Sequence, residues 1–274
     1  MKRSFACLII CALALSACGR LWTYNTPANN APSKSSKALR VVAYNVGVFS
    51  KYTGDSTRDI AEMMKELGAD AVAVCEQDSC NRRHAAFQTK EFAEALGAGW
   101  DYGYGSAMKW NGGSYGTGVV TDGLILDSFN VTLPKGDGYE PRVCVVAETA
   151  DYVIAAVHLD HSRDEVRIEQ ARLINEALLQ RYGTSRKPVF LCGDMNATPD
   201  SPTLSHFLND WTILSETAPT YPSENSKKCI DYILALNNRA RLEVLKTAVC
   251  TEFEASDVRT ASDHLPVFVD VRIK

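Results

Sequence analysis

VFLCGDMN, Val189 to Asn196, is an apolar run that ends on two polar side chains, Asp194 and Asn196. Apolar runs of this length, bounded by turn residues, are typical of buried strands. Because Asp194 and Asn196 are two positions apart, their side chains leave a strand end on the same face. The stretch therefore predicts a core strand that presents two polar groups at one edge of its sheet.

Five further apolar runs carry a polar, metal- or phosphate-competent residue at one end. They are VVAYN ending at Asn45, AVAVCE ending at Glu76, VIAAVH ending at His158, IDYILAL opening at Ile230-Asp231, and SDHLPVFVDV opening with Asp263 and His264. If the four runs that end on a polar residue point one way through packed sheets, and the two that begin on one point the other way, all six polar ends meet. The pattern predicts a functional site at that edge.

The chemistry of these residues favours a metal-assisted reaction at phosphorus. Asn45, Glu76 and Asp263 offer hard oxygen ligands of the kind that Mg²⁺ takes, with Mn²⁺ as a substitute. Asp231 and His264 supply a carboxylate and an imidazole, a pairing that fixes the histidine tautomer and stabilises its protonated form. We therefore expect attack of water on a phosphoester.

These motifs, taken in order, resemble the endonuclease/exonuclease/phosphatase superfamily, which has the deoxyribonuclease I-like fold. The matching positions are Asn45, Glu76, His158, GDMN at 193–196, IDYI at 230–233 and SDH at 262–264. The resemblance spans Leu39 to Lys274, and HLDHSRDEVRIEQARLI at 158–174 is similar to the bacterial branch of the family. It implies an α/β fold, a four-layer α/β sandwich in which two packed mixed β-sheets are flanked by helices.

The resemblance also implies a role for each site residue. His158 is expected to contact a non-bridging phosphate oxygen and, with Asn196, to stabilise the five-coordinate transition state. Either His264, oriented by Asp231, or Asp194 is expected to activate the water. The sequence does not choose between these two bases.

Several residues near these motifs have less specific signals. Arg142 matches a family arginine, for which structural support and contact with phosphate are equally open. The adjacent Asp263 and His264 cannot point the same way on a regular strand, so we expect a bend between them. Asp160 and His161 match no core catalytic position and are expected at the rim of the site.

The segment around GGSYG at 112–116 departs from the family pattern. The continuation at 117–122 lacks the arginine that is usual there, so the edge contacts of this subgroup stay open. Candidates for stacking on a substrate ring are Trp110, Tyr115, Tyr139 and Tyr221, although packing is the commoner role of each.

The N-terminus is typical of an exported bacterial lipoprotein. Lys2 and Arg3 precede an apolar stretch that is too short to span a bilayer, and LSAC at 15–18 follows as a lipidation box. We expect a signal peptide at 1–17, a lipid on Cys18, a flexible tether at 18–37 and one catalytic domain at 38–274. An ordinary cleaved signal peptide is the alternative. The expected location is a membrane surface, facing the periplasm.

Composition leaves the substrate open. The formal charge is −4, and it becomes −6 without Lys2 and Arg3, which is mild evidence against a nucleic-acid ligand. The first choice is a small phosphodiester or phosphomonoester, including a lipid head group. The alternatives are a secreted DNA or RNA endonuclease, with a basic groove around Arg82, Arg83 and Arg163, and a non-catalytic binding protein on the same scaffold. We expect a monomer.

Local patterns predict the main elements. One helix is expected from a capping box at Ser162 and Glu165 to Gly183, one from Ser56 to Gly68, and a third over 90–96. Further strands are expected near 101–107, 116–121, 124–133, 142–149, 152–158, 188–193, 230–236, 241–249 and 265–273. The six cysteines that follow Cys18 are expected to be mostly free, buried thiols.

Overall fold

The computed structural model of the chain describes residues 33–35, 37–136 and 140–274. The predicted signal peptide, Cys18, nearly all of the tether and Tyr139 lie outside these residues. Within them, no helix is both long and apolar enough to span a membrane.

The described residues form twelve strands, five helices and one single-turn element. The strands are β1 (Leu39–Asn45), β2 (Ala71–Ser79), β3 (Trp100–Trp110), β4 (Gly113–Asp122), β5 (Asp127–Leu133), β6 (Arg142–Glu148), β7 (Val153–His158), β8 (Val189–Asp194), β9 (Trp211–Ile213), β10 (Asp231–Leu236), β11 (Leu242–Val249) and β12 (Val267–Ile273). The helices are α1 (Thr57–Leu67), α2 (Gln88–Leu96), α3 (Asp164–Tyr182), α4 (Pro202–Phe207) and α5 (Val258–Ala261), with a single-turn element at Gly47–Phe49.

The strands form two six-stranded mixed sheets, ordered β11-β12-β1-β2-β4-β3 and β5-β6-β7-β8-β10-β9. β1 pairs with β2 in parallel, and β7 pairs with β8 in parallel. β12 is antiparallel to β1, and β10 is antiparallel to β8. The predicted strand directions are therefore confirmed, and the polar ends of all six runs come to one edge of the two sheets.

Three apolar layers hold the sheets and helices together. Small and branched side chains from both sheets, such as Val41, Ala43, Ile154 and Ala156, fill the space between the sheets. Because side chains alternate along a strand, the next residues of β1 face outward and pack with α1 and α2. On the outer face of the other sheet, β7 and β8 pack against α3 and α4. The predicted four-layer α/β sandwich is confirmed.

The largest difference between the predicted and the observed helices lies at the start of α3. The helix begins at Asp164, and its N-terminal flanking residue, Arg163, makes no capping hydrogen bond with its side chain. The predicted cap at Ser162 is wrong, because the Ser162 hydroxyl donates to Asp160 Oδ1 instead. The predicted helix ending at Gly68 is confirmed, with Gly68 at φ 69° in the left-handed region that suits glycine.

Some elements of the structure were not predicted from the sequence, or begin at a different residue. The short elements β9, α4 and α5 were not predicted, because three to six residues carry too little periodicity. The strand expected to start near residue 124 starts at Asp127. All six cysteines in the described residues are free, and four of them are buried, which confirms the expectation for the thiols.

Candidate active site

The predicted site residues come together at the shared edge of the sheets, around a pocket of about 620 Å³. Its walls include Glu76, Arg142, His158, Asp194, Asn196, Asp263 and His264. Asn45 and Asp231 are fully buried behind this wall and hydrogen-bond to residues in it. The sequence motifs therefore converge on one pocket.

Asp194 lies at the centre of this cluster. Its Oδ2 is 3.2 Å from Asn45 Nδ2, 3.5 Å from His158 Nε2 and 3.7 Å from His264 Nε2. Its Oδ1 accepts a 2.8 Å hydrogen bond from the backbone N–H of Asn196. Burial, together with the negative charge of Asp231, raises the pKa of Asp194 to about 7.

The glycine before Asp194 explains why this strand can end so close to its neighbour. Gly193 has φ 134°, and a Cβ atom there would lie 2.1 Å from the carbonyl oxygen of Val157. Another residue would push β8 away from β7 and move Asp194 out of the pocket.

His264 is held by a carboxylate on its far side. Its Nδ1 is 2.9 Å from Asp231 Oδ2, and that same oxygen accepts a 2.6 Å hydrogen bond from the Thr220 hydroxyl. Burial alone would lower the pKa of His264, but the charge and hydrogen bond of Asp231, with Asp194 adding to them, raise it to about 10. His264 is therefore an imidazolium at neutral pH, with Nε2–H facing Asp194.

His158 has the opposite protonation preference. Burial lowers its pKa well below the usual value, and the positive charge of Arg142 lowers it further. Arg142 Nη1 lies 3.1 Å from His158 Nδ1, and because a guanidinium only donates, Nδ1 is the accepting nitrogen. The proton of the neutral ring is then on Nε2, on the side of Asp194. Arg142 supports His158 and also lines the pocket, so the two roles left open for it are compatible.

Glu76 is aimed at the site by a β-bulge. Cys75 and Glu76 together lie opposite Thr117, where the register of β2 and β4 shifts. Glu76 has φ 58°, a left-handed conformation that is unusual for glutamate and is concentrated at functional sites. Its Oε1 accepts a 3.0 Å hydrogen bond from Asn45 Nδ2.

The oxygen donors around Glu76 suit a hard cation. Asp263 Oδ1 is buried and has no hydrogen-bond partner within the described part of the chain, while its Oδ2 accepts a 2.8 Å contact from Lys51 Nζ. An unpartnered buried carboxylate oxygen is unfavourable without a cation or donor, so Glu76 and Asp263 fit a divalent ion. Asn45 fits less directly, because its Nδ2 faces Glu76 and its Oδ1 accepts from the Gly47 N–H at 3.1 Å. Asp194, Asp231 and His264 form a separate group in which the potential ligand atoms lie within 4.8 Å of one another.

Two contributors to the site, Lys51 and Thr220, were not predicted from the sequence, and the role of a third, Tyr221, was left open. Lys51 pairs with Asp263, Thr220 donates to Asp231, and the ring of Tyr221 lies 4.8 Å from the ring of His264. Tyr221 was considered for substrate stacking or for packing, and neither Lys51 nor Thr220 belongs to a recognisable pattern.

The two residues expected at the rim of the site, Asp160 and His161, have different surroundings. His161 lines the pocket, whereas Asp160 is buried and binds the backbone of the loop that leads into α3. His84 contacts the buried carboxylate of Asp78 at 2.7 Å.

Comparison with known proteins agrees with the motifs and their arrangement. The sequence model of the Endonuclease/Exonuclease/phosphatase family matches residues 42–264. The chain belongs to this family. No curated protein matches this chain.

Solved structures share the fold of this family member. A mannosyl-6-phosphatase from Bacteroides thetaiotaomicron is 21% identical, with a TM-score of 0.70 over 85% of this chain and 99% of that one. An endonuclease/exonuclease/phosphatase protein from Bacteroides vulgatus is 19% identical, with a TM-score of 0.69 over 86% and 99%. ANGEL2, a 2',3'-cyclic phosphatase, is 14% identical, with a TM-score of 0.64 over 87% and 96%. At these identities the likeness shows the fold alone.

Proposed function

We propose that the protein is a divalent-metal-dependent phosphoesterase that hydrolyses a small phosphomonoester or phosphodiester by in-line attack of water. The observation that carries the proposal is the position of Asp194, whose carboxylate lies within 3.7 Å of nitrogen atoms from Asn45, His158 and His264. Such a cluster can hold an anionic phosphoryl group next to a proton acceptor. Membership of a phosphatase and nuclease family supports the same class of reaction.

The sequence left two candidates for the general base, Asp194 and His264. The pKa values favour Asp194 for this role. A general base works best when its pKa is near the working pH, and the pKa of Asp194 is raised to about 7. The imidazolium of His264, with a pKa of about 10, is suited to donate a proton or a hydrogen bond. We propose that Asp194 accepts the proton of water, and that His264, oriented by Asp231, stabilises the phosphoryl oxygens.

Two further groups would bind the phosphoryl group. His158 presents Nε2–H, because Arg142 occupies its Nδ1. The Asn196 amide donates one hydrogen to the Leu159 carbonyl at 3.0 Å, and the second hydrogen of that nitrogen is available to a phosphate oxygen. These neutral donors would stabilise the negative charge that grows on the equatorial oxygens.

The metal residues are proposed to be Glu76, with Asn45 and Asp263 in support directly or through water. When bound there, Mg²⁺ or Mn²⁺ neutralises charge that develops on the phosphoryl and leaving oxygens. The unpartnered Oδ1 of Asp263 and the bulge that aims Glu76 support this assignment.

A small substrate is favoured over a nucleic acid. The nuclease alternative relies on a basic groove that includes Arg83, but Arg83 forms two hydrogen bonds to the buried carboxylate of Asp78, at 2.6 and 2.9 Å. Its charge is thus compensated. The activities named for two structural neighbours, a mannosyl-6-phosphatase and a 2',3'-cyclic phosphatase, support a phosphatase.

The proposal is tested by release of inorganic phosphate from a panel of monoesters and of 4-nitrophenol from bis(4-nitrophenyl) phosphate, a small diester, with a plasmid-nicking assay in parallel. We expect release with Mg²⁺ or Mn²⁺, none with chelator, and a loss of about 10²-fold or more in Asp231→Asn. Asp151→Asn, on an exposed turn, is the matched control and should behave as the wild type. Metal-dependent plasmid nicking without hydrolysis of either small ester would establish the nuclease instead. Folded protein inactive in every assay would support the non-catalytic alternative.

We also propose that the chain is an exported lipoprotein anchored through Cys18, facing the periplasm. The basic, apolar and LSAC segments of the N-terminus support this location. We propose a monomer that acts on substrates near a membrane surface.

A further inference from the structure

A second cavity of about 410 Å³ opens beside the candidate active site. It shares Lys51, Glu76 and Glu140 with the first pocket, so a ligand held at Glu76 can extend directly into it. Its volume lies within the roughly 300–1,000 Å³ that is usual for small-molecule sites. The two cavities therefore adjoin at these three residues.

The outer wall of this second cavity is aromatic. Trp110, the last residue of β3, is 44% exposed and lines the cavity together with Met108 and Tyr115. An indole ring that is held at a strand end and half open to solvent offers a flat apolar face to a ligand. Two of the four aromatic residues named as stacking candidates from the sequence, Trp110 and Tyr115, thus lie beside the candidate active site.

Each charged group that lines this cavity, apart from Glu76, already has a partner of opposite charge. Lys51 pairs with Asp263 at 2.8 Å, and Glu140 pairs with Arg142 at 3.0 Å. Arg83 is bound through Nε and Nη2 to Asp78, which is 0% exposed and therefore cannot move away. The cavity has hydrogen-bonding groups but no excess of positive charge.

Such a lining discriminates between substrate classes. A polyanion, such as a nucleic acid or an inositol polyphosphate, needs uncompensated cations along its path, which this cavity does not provide. A lipid chain needs apolar walls, and here Lys51, Glu140 and Arg83 interrupt them. A sugar ring suits this lining, because its C–H face packs on the indole and its hydroxyls bond to the guanidinium and carboxylate groups.

We propose that this cavity is the subsite for the alcohol part of the phosphoester, and that it takes a neutral, polyhydroxylated ring. Trp110 is the stacking platform, and Arg83 and Glu140 bind hydroxyl groups. The proposal rests on the phosphoesterase function above and specifies its substrate as a sugar or polyol monophosphate.

The test uses the purified full-length protein and two monoesters, mannose 6-phosphate and glycerol phosphate. Glycerol phosphate is too short to fill the second cavity, so the ratio of the two kcat/KM values isolates the ring. We expect Trp110→Ala to lower this ratio about 2- to 10-fold, and Trp110→Phe, which keeps an aromatic face, to restore part of it. Leu124→Ala, at the opposite end of the β3–β4 hairpin and 69% exposed, is the control.

Two results would overturn the proposal. One is a ratio that Trp110→Ala leaves at the wild-type value. The other is a kcat/KM for inositol 1,4,5-trisphosphate above that for mannose 6-phosphate, which would mean that the cavity accepts a polyanion.

A binding measurement separates this proposal from the proposed function. Mannose 6-phosphate should change the tryptophan fluorescence of the wild type, and that change should be lost in Trp110→Phe. If the wild type releases no phosphate from any ester, the catalytic proposal fails, but a Trp110-dependent fluorescence change still supports the subsite. A wild type without any such change overturns the subsite even when hydrolysis is observed.

Discussion

Gln88, at the start of α2, connects two strained segments next to the candidate active site. Its side chain is 3% exposed, donates to the Val48 carbonyl at 2.7 Å, and accepts from the Asp78 N–H at 2.7 Å. Val48 has φ 53° and lies in the turn after Asn45, and Asp78 follows the bulge at Glu76. Left-handed backbone costs roughly 1–2 kcal/mol per residue, so both segments need such an anchor.

Replacing Gln88 with leucine removes both hydrogen bonds and leaves a buried carbonyl and a buried N–H without their partner. Each unsatisfied group costs about 1–3 kcal/mol, so the expected loss of unfolding free energy is about 2–6 kcal/mol. For a domain of this size the melting temperature falls by about 4–24 °C. Since residues that orient metal ligands typically contribute a factor of about 10–100 to metal affinity, Mg²⁺ binding should weaken by that range.

The chain offers a matched control in Gln170 on α3. Gln170 is equally buried, accepts from the Asp160 N–H at 2.9 Å and donates to the Pro134 carbonyl at 2.9 Å. Gln170→Leu should therefore cost similar stability without touching the proposed metal residues. Thermal unfolding of chelator-treated protein measures the first effect, and calorimetric titration with Mg²⁺ measures the second.

Equal Mg²⁺ affinity in both variants would refute a role for Gln88 in orienting the proposed metal residues, because Gln88 would then act through general stability alone. The stability prediction fails if Gln88→Leu unfolds at the wild-type temperature, since the two buried hydrogen bonds would then contribute nothing.

Three other expectations can be checked independently. His264→Ala should lower kcat by about 10²-fold or more in a phosphate-release assay, and a rate near the wild type would remove His264 from the mechanism. Asp160→Asn should destabilise the protein by about 1–3 kcal/mol at pH 7, measured by denaturant unfolding. Burial raises the pKa of Asp160, but hydrogen bonds from Ser162 and Arg163 outweigh it and hold this pKa below the usual value of 3.8. The stabilisation that the ionised carboxylate provides is therefore present above pH 3.8. It is lost as the pH falls through that lowered pKa, and a difference that persists at lower pH would contradict the assignment. Cys18→Ser should abolish incorporation of radiolabelled palmitate in the bacterial host, whereas labelled Cys18→Ser protein would disprove lipidation at this cysteine.

The fold was predictable because its pattern is carried by long buried strands. An apolar run such as VIAAVH at 153–158, which is short and contains three β-branched residues, favours a core strand, and the terminal position of its polar residue marks the edge of the sheet. The strand directions followed from one condition, that all six polar ends meet. The structure satisfies that condition with β1 parallel to β2 and β7 parallel to β8.

The cap of α3 shows how a correct local pattern can fail. Ser162 followed by Glu165 fits the capping box, but Asp160 lies two residues earlier and competes for the same groups. Its carboxylate accepts from the Ser162 N–H at 2.8 Å and from the Ser162 hydroxyl. A charged acceptor forms stronger hydrogen bonds than a neutral hydroxyl can, so the loop closes on Asp160 and the helix starts at Asp164.

The orientation of the proposed metal residues was not predictable, and the reason is physical. Val48 and Phe49 both have φ 53°, a conformation that branched and aromatic residues disfavour, so no local preference indicates the turn after Asn45. Glu76 likewise turns toward the pocket only because its strand carries one residue more than its partner. Both conformations are maintained by tertiary contacts, including the two hydrogen bonds of Gln88. Local preference fails where the backbone is strained to place a ligand, so these disagreements between sequence and structure independently mark the site.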